Sequence, residues 1–433
     1  MGGCEMKSVN QYVMKDSGVQ WIGAVPEHWE VCRVKDLFML TTGGTPKDFD
    51  QLNDEEDTID WYTPIDIKED ANELFTSKRK LSLTLSQKNN IRIFPAHSLL
   101  FSGIGNVGKI GYLNNSGYAN QQLTALMPKR GYSKYYYYFL AAFKDPIKDN
   151  AFYTVVPIVN NSYISAIPIA LPPLSEQCAI ADWLDAKCAD IDAAIELQQR
   201  MIDKLKAYKT AVIHQAVTKG LDKNTNLKDS GVQWIGEVPE HWKGYKMQYI
   251  IHLEKGKMPK ELTYESGDAP YLTMDLLRNR ESMMSYPIAT EGLVRVEDND
   301  LLLLWDGANA GEILQAKRGY LGSTMAIIHY SKEIIESKFA FYFFKALEPK
   351  FKEDANGTTI PHFNRKSING YWYFLPPTLA EQRAIADWLD AKCADIDATI
   401  ALKEQKQEKL KAYKKTIIFE YVTGKKQVAN INK

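Results

Sequence analysis

The stretch EQCAIADWLDAKCADIDA at 176–193 returns as EQRAIADWLDAKCADIDA at 381–398, differing only at Cys178 against Arg383. Upstream of each copy lies another repeat, DSGVQWIGAVPEHW at 16–29 and DSGVQWIGEVPEHW at 229–242, differing only at Ala24 against Glu237. KLKAYK follows both, at 204–209 and 409–414. The stretches between, roughly 30–170 and 243–374, are dissimilar in sequence and length. Uniform drift after a duplication would blur all segments alike. Near-identity beside divergence indicates constant parts doing one job twice and variable parts doing different versions of another. The chain divides accordingly into 1–172, an N-terminal stretch with the first variable domain, and 173–222, a central helical spacer. A second variable domain at 223–376 and a C-terminal helical spacer at 377–433 complete it.

The constant stretches are helical. Pro172 and Pro173 end the strand-like run IPIALPP, and Ser175 is the expected N-cap, with Glu176 in the first turn. Steps of four and three from Ile180 give Leu184, Lys187, Ile191, Ala194, Gln198, Met201, Leu205, Tyr208 and Val212, mostly apolar, as in a coiled-coil seam. The second copy gives Ile385, Leu389, Lys392, Ile396, Thr399, Lys403, Lys406, Leu410, Tyr413 and Ile417. With no Gly or Pro before Gly220, the first helix reaches roughly 65 Å at about 1.5 Å per residue. Charge sets the pairing. Glu176, Asp182, Asp185, Asp190, Asp192 and Glu196 come early, and Arg200, Lys204, Lys206, Lys209 and Lys219 come late. The second helix repeats this polarity, from Glu381, Asp387, Asp390, Asp395 and Asp397 to Lys403, Lys406, Lys409, Lys411, Lys414 and Lys415. Parallel pairing would set like charges together throughout, so the helices are expected antiparallel. The fold class is α+β: two α/β domains separated by two long antiparallel coiled-coil helices, in a pseudo-twofold repeat.

Composition narrows the function. The 433 residues carry 53 basic and 54 acidic side chains, which argues against a uniformly basic binder but leaves room for a polarised surface. No run of apolar residues is long enough to span a membrane, and MGGCEMKSVNQY lacks a signal-peptide core. Cys4, Cys32, Cys178, Cys188 and Cys393 form no CxxC pair. Neither a zinc site nor a disulfide framework is expected, and the cytoplasm is the expected compartment.

In the variable domains, IRIFP, SLLFSGIGNVGKIGYL, LTALMP, DLLLLWDGANAGEIL and STMAIIHY read as strands, while YSKYYYYFLAAFK and SKFAFYFFKALEPKFK read as helices. GIGNVGKI at 103–110 matches both GxGxxG and GxxxxGK, but Ile110 stands where a phosphate loop needs Ser or Thr, and a turn rather than a helix follows. A β-hairpin with close backbone approach is the better reading. From Leu74 to Lys144 there are ten bases and no acid, as expected of a face that meets a polyanion. Lys78, Arg79, Lys80, Lys88, Arg92, Lys109, Lys129 and Arg130 are candidate DNA contacts within it, beside Lys134 and Lys144. Asn106, Asn120, Gln121 and Gln122 add amides that can read adenine edges. The alternative is lysines gathered by chance on different faces. The second domain offers Lys255, Lys257, Lys260, Asn309, Lys317, Arg318, Thr358, His362, Asn364, Arg365 and Lys366.

DSGVxWIGxVPEHW before a variable domain and EQxxIADWLDxKxxxID opening a long helix, each present twice, resemble the specificity subunit of type I restriction–modification enzymes over essentially the whole chain. The resemblance implies a non-catalytic DNA-binding subunit whose two target-recognition domains each read half of a bipartite, asymmetric site on double-stranded DNA. The constant helices would set the spacer and dock two methyltransferase subunits, with restriction subunits added for translocation and cleavage. S-adenosylmethionine, ATP and Mg²⁺ would then belong to those partners, and no cofactor or metal to this chain. Two rivals remain: a catalytic methyltransferase or nuclease fusion, for which no catalytic motif accompanies the loop, and a coiled-coil scaffold that binds protein only.

Overall fold

In the computed structural model, described over residues 12–47, 58–68, 72–104, 107–149, 152–153, 157–278, 283–355, 362–363 and 370–428, the chain forms two compact units. One is Met1–Gln198 with Gln405–Lys433 and the other is Gln199–Glu404.

The first unit is built around strand Leu123–Pro128, paired antiparallel with Phe38–Thr42 on one side and Leu99–Ser102 on the other. Ile110–Leu113 and Asn72–Leu74 extend the sheet to five strands. Its side chains alternate across the pleat. Leu126, Leu99 and Phe101 pack under helix Ser133–Ala142, while Leu123, Ala125, Met127 and Leu100 meet Tyr62 and Phe94 on the opposite face. With both faces covered, the central strands Leu123–Pro128 and Leu99–Ser102 are buried and mostly apolar. The tyrosines at 135–138 are core, each at most 4% exposed. The expected strand IRIFP does not form. Only Phe94 bridges Gly117, since Pro95 offers no ladder N–H.

The strands Leu99–Ser102 and Ile110–Leu113 on either side of the phosphate-loop pattern pair antiparallel, so a strand and not a helix follows it. Gly108 there has φ +85° and a Cβ would sit 2.9 Å from the Lys144 carbonyl oxygen; Gly311, at φ +93°, meets the Lys352 nitrogen at 2.8 Å. The second unit repeats the plan, with Ile251–Lys255, Met325–Tyr330, Leu301–Leu304 and Ile313–Gln315 in that order and helix Ser337–Glu353 packed on the sheet.

The repeated motifs clamp each other. Glu176 accepts hydrogen bonds from Tyr12 Oη (2.9 Å), His28 Nε2 (2.7 Å) and Trp29 Nε1 (3.0 Å). In the second unit Glu381 receives His241 Nε2 (3.1 Å) and Trp242 Nε1 (3.0 Å). The neighbouring glutamine ties helix to variable domain. Gln177 Oε1 accepts the Tyr132 N–H, Gln382 Oε1 accepts the Glu336 N–H, and both are 2.8 Å bonds. Both differences between the repeats also have causes. Arg383 replaces Cys178 where Glu336 replaces Tyr132, and the Arg383 guanidinium holds the buried Glu336 carboxylate at 2.7 Å. Glu237 replaces Ala24 and pairs with Lys219 at 3.3 Å.

The long helices run Leu174–Lys219 and Leu379–Val422. Ser175 is not the N-cap, because the helix already includes Leu174. Thr378 caps the second helix, its Oγ1 accepting the Glu381 N–H at 3.2 Å. Within each unit the two helices pair antiparallel. In the first, Trp183 meets Tyr421, Asp192 meets Lys414 at 2.7 Å, and the Ile195 carbonyl meets Gln407 at 3.1 Å. In the second, Met201 meets Lys403 and Lys209 meets Asp397 at 2.6 Å, so one number rises as the other falls. Acid therefore meets base, as the charge polarity predicts.

The seam needs correction. Ile180, Leu184, Ile191, Ile385, Leu389, Ile396 and Ile417 are buried, and Leu205 and Leu410 are partly buried. Met201 (37%), Tyr208 (49%) and Tyr413 (48%) are exposed instead. The buried stripe recurs every 11 residues, through Ile180, Ile191, Ile202 and Ile213 and through Ile385, Ile396, Gln407 and Ile418. An 11-residue repeat, about 3.67 residues per turn, stays close to the natural pitch, whereas a heptad drifts about 20° per repeat and has left the stripe by position 201.

Candidate nucleic-acid interface

At one end of the main sheet of the first unit, four segments are drawn together by backbone bonds. Gly43 N donates to Leu123 O (2.9 Å), Gly44 N to Ala119 O (2.8 Å), Gly103 N to Gln122 O (3.1 Å) and Val159 N to Gly103 O (2.9 Å). Gly43 is required there, because a Cβ would lie 2.2 Å from the Ala119 carbonyl oxygen. Asn161 bridges Thr42 Oγ1 (3.0 Å) and Thr124 Oγ1 (2.9 Å) across the same end. A small sheet of Tyr118–Ala119, Thr58–Tyr62 and Lys80–Ser82 attaches here, with Trp61 Nε1 donating to Gly44 O at 3.0 Å.

That small sheet, helix Leu83–Lys88 and the loops flanking them carry Lys78, Arg79, Lys80, Lys88 and Arg92, all exposed. Nearby carboxylates are engaged locally. Asp60 accepts from Ser77 N at 2.9 Å, and Asp66 accepts from Thr63 N at 2.8 Å and Lys78 N at 3.2 Å. Gln121 and Gln122 are exposed on the adjoining turn. Sequence reasoning missed Lys47, exposed beside this group with its N–H on Asn89 Oδ1 at 3.1 Å. It opens the acid-rich stretch after 47, and that company concealed it.

The acid-free run is not one face. Strand Leu123–Pro128 separates its two parts by about 20 Å at roughly 3.4 Å per residue. At the far end Lys129 Nζ donates to Lys35 O (2.8 Å), and Arg130 lies by Cys32 Sγ (3.6 Å) and Glu30 (4.0 Å). Lys134 is 7% exposed, pairs with Glu73, and lies 3.5 Å from Asp185. Two further candidates are turned inward. Lys109 Nζ donates to Ile67 O at 3.4 Å, and buried Asn120 closes its turn through Gln122 Oε1 at 3.0 Å. Asn106, Thr358, Asn364, Arg365 and Lys366 lie outside the described residues.

The second unit assembles the same sheet end, with Gly256 N on Met325 O (2.9 Å) and Phe363 N on Trp305 O (2.8 Å). Here Asp306 receives Lys255 Nζ at 2.9 Å and His362 Nδ1 at 2.7 Å. Burial pushes the Asp306 carboxyl up, but the bonds from Lys255 and His362 outweigh it and hold it below its usual range. The Lys255 ammonium also lies 5.5 Å from the Trp305 ring. Lys257, Lys260 and Asn309 are exposed around this cluster. Lys317 and Arg318 are exposed at the opposite end of strand Leu301–Leu304, where Arg318 N donates to Asp298 Oδ1 at 2.8 Å. Trp305 and Asp306 were not singled out from sequence; the WDG that ends a buried strand is the signal that marks them.

Such a surface can grip phosphates through lysine and arginine and read base edges through amide and imidazole groups. No helix among the described residues is long and apolar enough to cross a membrane.

Comparison with known proteins agrees with this picture. The type I restriction modification DNA specificity domain matches twice, at 26–207 and 239–412. The type I restriction enzyme MjaVIII specificity subunit of Methanocaldococcus jannaschii is 27% identical over 435 residues, covering 94% of this chain and 95% of its own. The MjaIX specificity subunit of the same organism is 22% identical over 378 residues, covering 82% and 85%. A chain from a solved structure described as showing complex assembly and conformational transition of the type I R-M system shares the fold. Its TM-score is 0.70 at 14% identity, with 92% of this chain and 99% of that one covered. With both copies of the IADWLDAK helix motif inside the matched regions, the chain belongs to the type I restriction modification DNA specificity domain family, as a DNA-recognition subunit and not a catalytic one.

Proposed function

We propose that each unit reads one half of a bipartite, asymmetric DNA site, and that the constant helices dock two methyltransferase subunits and set the spacing between half-sites. The observation that carries this reading is the sheet end built twice on one backbone plan but dressed differently. The first unit displays Lys47, Lys78, Arg79, Lys80, Arg92, Gln121 and Gln122, and the second displays Lys257, Lys260, Asn309 and His362 around Asp306. Two unlike readers imply two unlike half-sites. Phosphate contacts set register, and contacts to base edges set sequence. In this reading S-adenosylmethionine, and the ATP and Mg²⁺ of added restriction subunits, are held by the partners, and the assembly works in the cytoplasm.

The test is to express the chain with its methyltransferase in a naive host and map every methylated adenine. Two short, dissimilar motifs at a constant separation are expected. Methylation at a single uninterrupted motif, or none, overturns the proposal. Inserting one helical turn after Gln198 should change the separation and leave both motifs intact.

A further inference from the structure

The constant sequence IADWLDAK occurs at 180–187 and 385–392, yet its tryptophan meets different surroundings in the two units. In the first, Trp183 stacks on Tyr421, with ring centroids 4.0 Å apart and planes 24° from parallel. The position equivalent to Tyr421 in the second unit, 205 residues earlier, is Ala216. The ring is missing there, and Trp388 is 42% exposed. Beside it lies a groove of about 580 Å³ lined by Tyr208, Ala216, Lys219, Leu221, Lys223 and Lys392, with Asp222 the only acidic lining residue among the described residues.

We propose that this groove is a docking seat in which a protein partner stacks an aromatic side chain on Trp388, from a segment that also carries carboxylates. The first unit shows which chemical group fits, because the same tryptophan on the same helical motif already holds a tyrosine ring. Charge defines what flanks that ring. Three lysines face one aspartate around the groove, and Asp222 Oδ1 accepts the Asn224 N–H at 2.9 Å. Lys219 already pairs with Glu237 at 3.3 Å, and the Lys392 ammonium lies 6.0 Å from the Tyr208 ring, so the rim remains positive overall. Exposed tryptophan and tyrosine beside basic groups have the composition of an interface anchor. The partner is the methyltransferase, which rests on the docking reading above. The consequence is asymmetry: the two constant repeats offer that partner unlike seats, one filled from within and one open.

The test measures affinity between the full chain and its methyltransferase by titration, for wild type, Trp388→Ala and Ala216→Tyr. Trp388→Ala removes the platform. Ala216 is 2% exposed and borders the groove; Ala216→Tyr brings to it the ring that the equivalent position carries in the first unit, and an unfolding midpoint close to wild type checks that the core accepts it. Each is expected to weaken association about tenfold or more, with the helical circular-dichroism signal retained. Wild-type binding left unchanged by Ala216→Tyr overturns the seat while leaving the docking reading in place. A wild-type chain that binds no methyltransferase overturns the docking reading itself. Loss of self-association rather than of methyltransferase binding assigns the groove to a second copy of the chain and also overturns the proposal.

Discussion

Replacing Glu176 with alanine removes one carboxylate on which three side chains converge. Glu176 is 8% exposed and accepts from Tyr12, His28 and Trp29. Tyr12 and His28 are not fully buried and can turn to water. Trp29 is 1% exposed and its indole N–H cannot. The orphaned indole costs about 1–3 kcal/mol and the missing charged bonds from Tyr12 and His28 add roughly 1 kcal/mol each, giving about 3–5 kcal/mol for Glu176→Ala. Glu176→Gln offers one acceptor oxygen and an NH₂ that faces donors, so it should rescue only part of this loss. Glu381→Ala is the internal control. Its side chain is 33% exposed and, among the described residues, serves His241 and Trp242, so about 2–3 kcal/mol is expected. Urea unfolding followed by circular dichroism, comparing each variant with wild type, measures both. A Glu381→Ala loss equal to or larger than the Glu176→Ala loss would refute the reasoning, because the ranking follows directly from donor count and burial.

Three other outcomes follow from the same geometry. Ile202→Ala should cost about 2–5 kcal/mol as a buried truncation, and Met201→Ala well under half of that; the reverse order in thermal unfolding would restore the heptad. Neutralising Lys78, Arg79 and Lys80 together should weaken binding to every DNA sequence. The slope of log K against log salt should become shallower by about 0.9 for each phosphate that these side chains neutralise in the wild type. An unchanged slope removes this patch from the interface. Burial pushes the Glu336 carboxyl up, but the Phe339 and Lys338 N–H groups and Arg383 outweigh it and hold it below its ordinary value. Its stabilisation is therefore present above the unfolded carboxyl value, about 4.3, and is lost as pH falls through the lower folded value. Arg383→Cys should shrink that acid-side loss in a pH series of unfolding midpoints, and an unchanged profile would contradict the pairing.

The elements legible in the sequence are those whose signal is local or repeated. The doubled IADWLDAK and VPEHW motifs announced two similar frames, and the polarity of each helix, acids early and bases late, announced their antiparallel pairing. Gly108 followed by a turn gave away the hairpin. The misreadings have a common physical cause, which is that distance along the chain is not distance in the fold. Ile180, Leu184 and Ile191 belong equally to a 7-residue and an 11-residue stripe, so the early contacts cannot separate the two periods; Met201 and Ile202 can. The acid-free run looked like one surface because strand Leu123–Pro128, which divides it, is itself uncharged. Lys134 looked solvated because its partners Glu73 and Asp185 lie 61 and 51 residues away. Glu176 drew no functional reading beyond a helix start, because Trp29 is 147 residues distant.

These bonds also explain how near-identity and divergence coexist in one chain. The constant residues are each other's partners: Glu176 holds Trp29, Glu381 holds Trp242, and the glutamine beside each glutamate closes on the main chain of its variable domain. A backbone N–H is the same donor whatever side chain it carries, so Gln177 and Gln382 accept Tyr132 in one unit and Glu336 in the other. Where a side chain at that junction did change, the constant repeat changed with it, Cys178 becoming Arg383 opposite Glu336. Lys257, Lys260 and Asn309 are exposed at the second sheet end, where the turn is fixed by a backbone bond from Gly256 rather than by their side chains. Exchanging Lys257, Lys260 or Asn309 for other polar residues should therefore alter DNA preference with little change in stability, within about 0.5 kcal/mol as for ordinary surface substitutions. A loss of several kcal/mol on such an exchange would show that recognition and folding share residues here, and the separation argued from the clamp would fail.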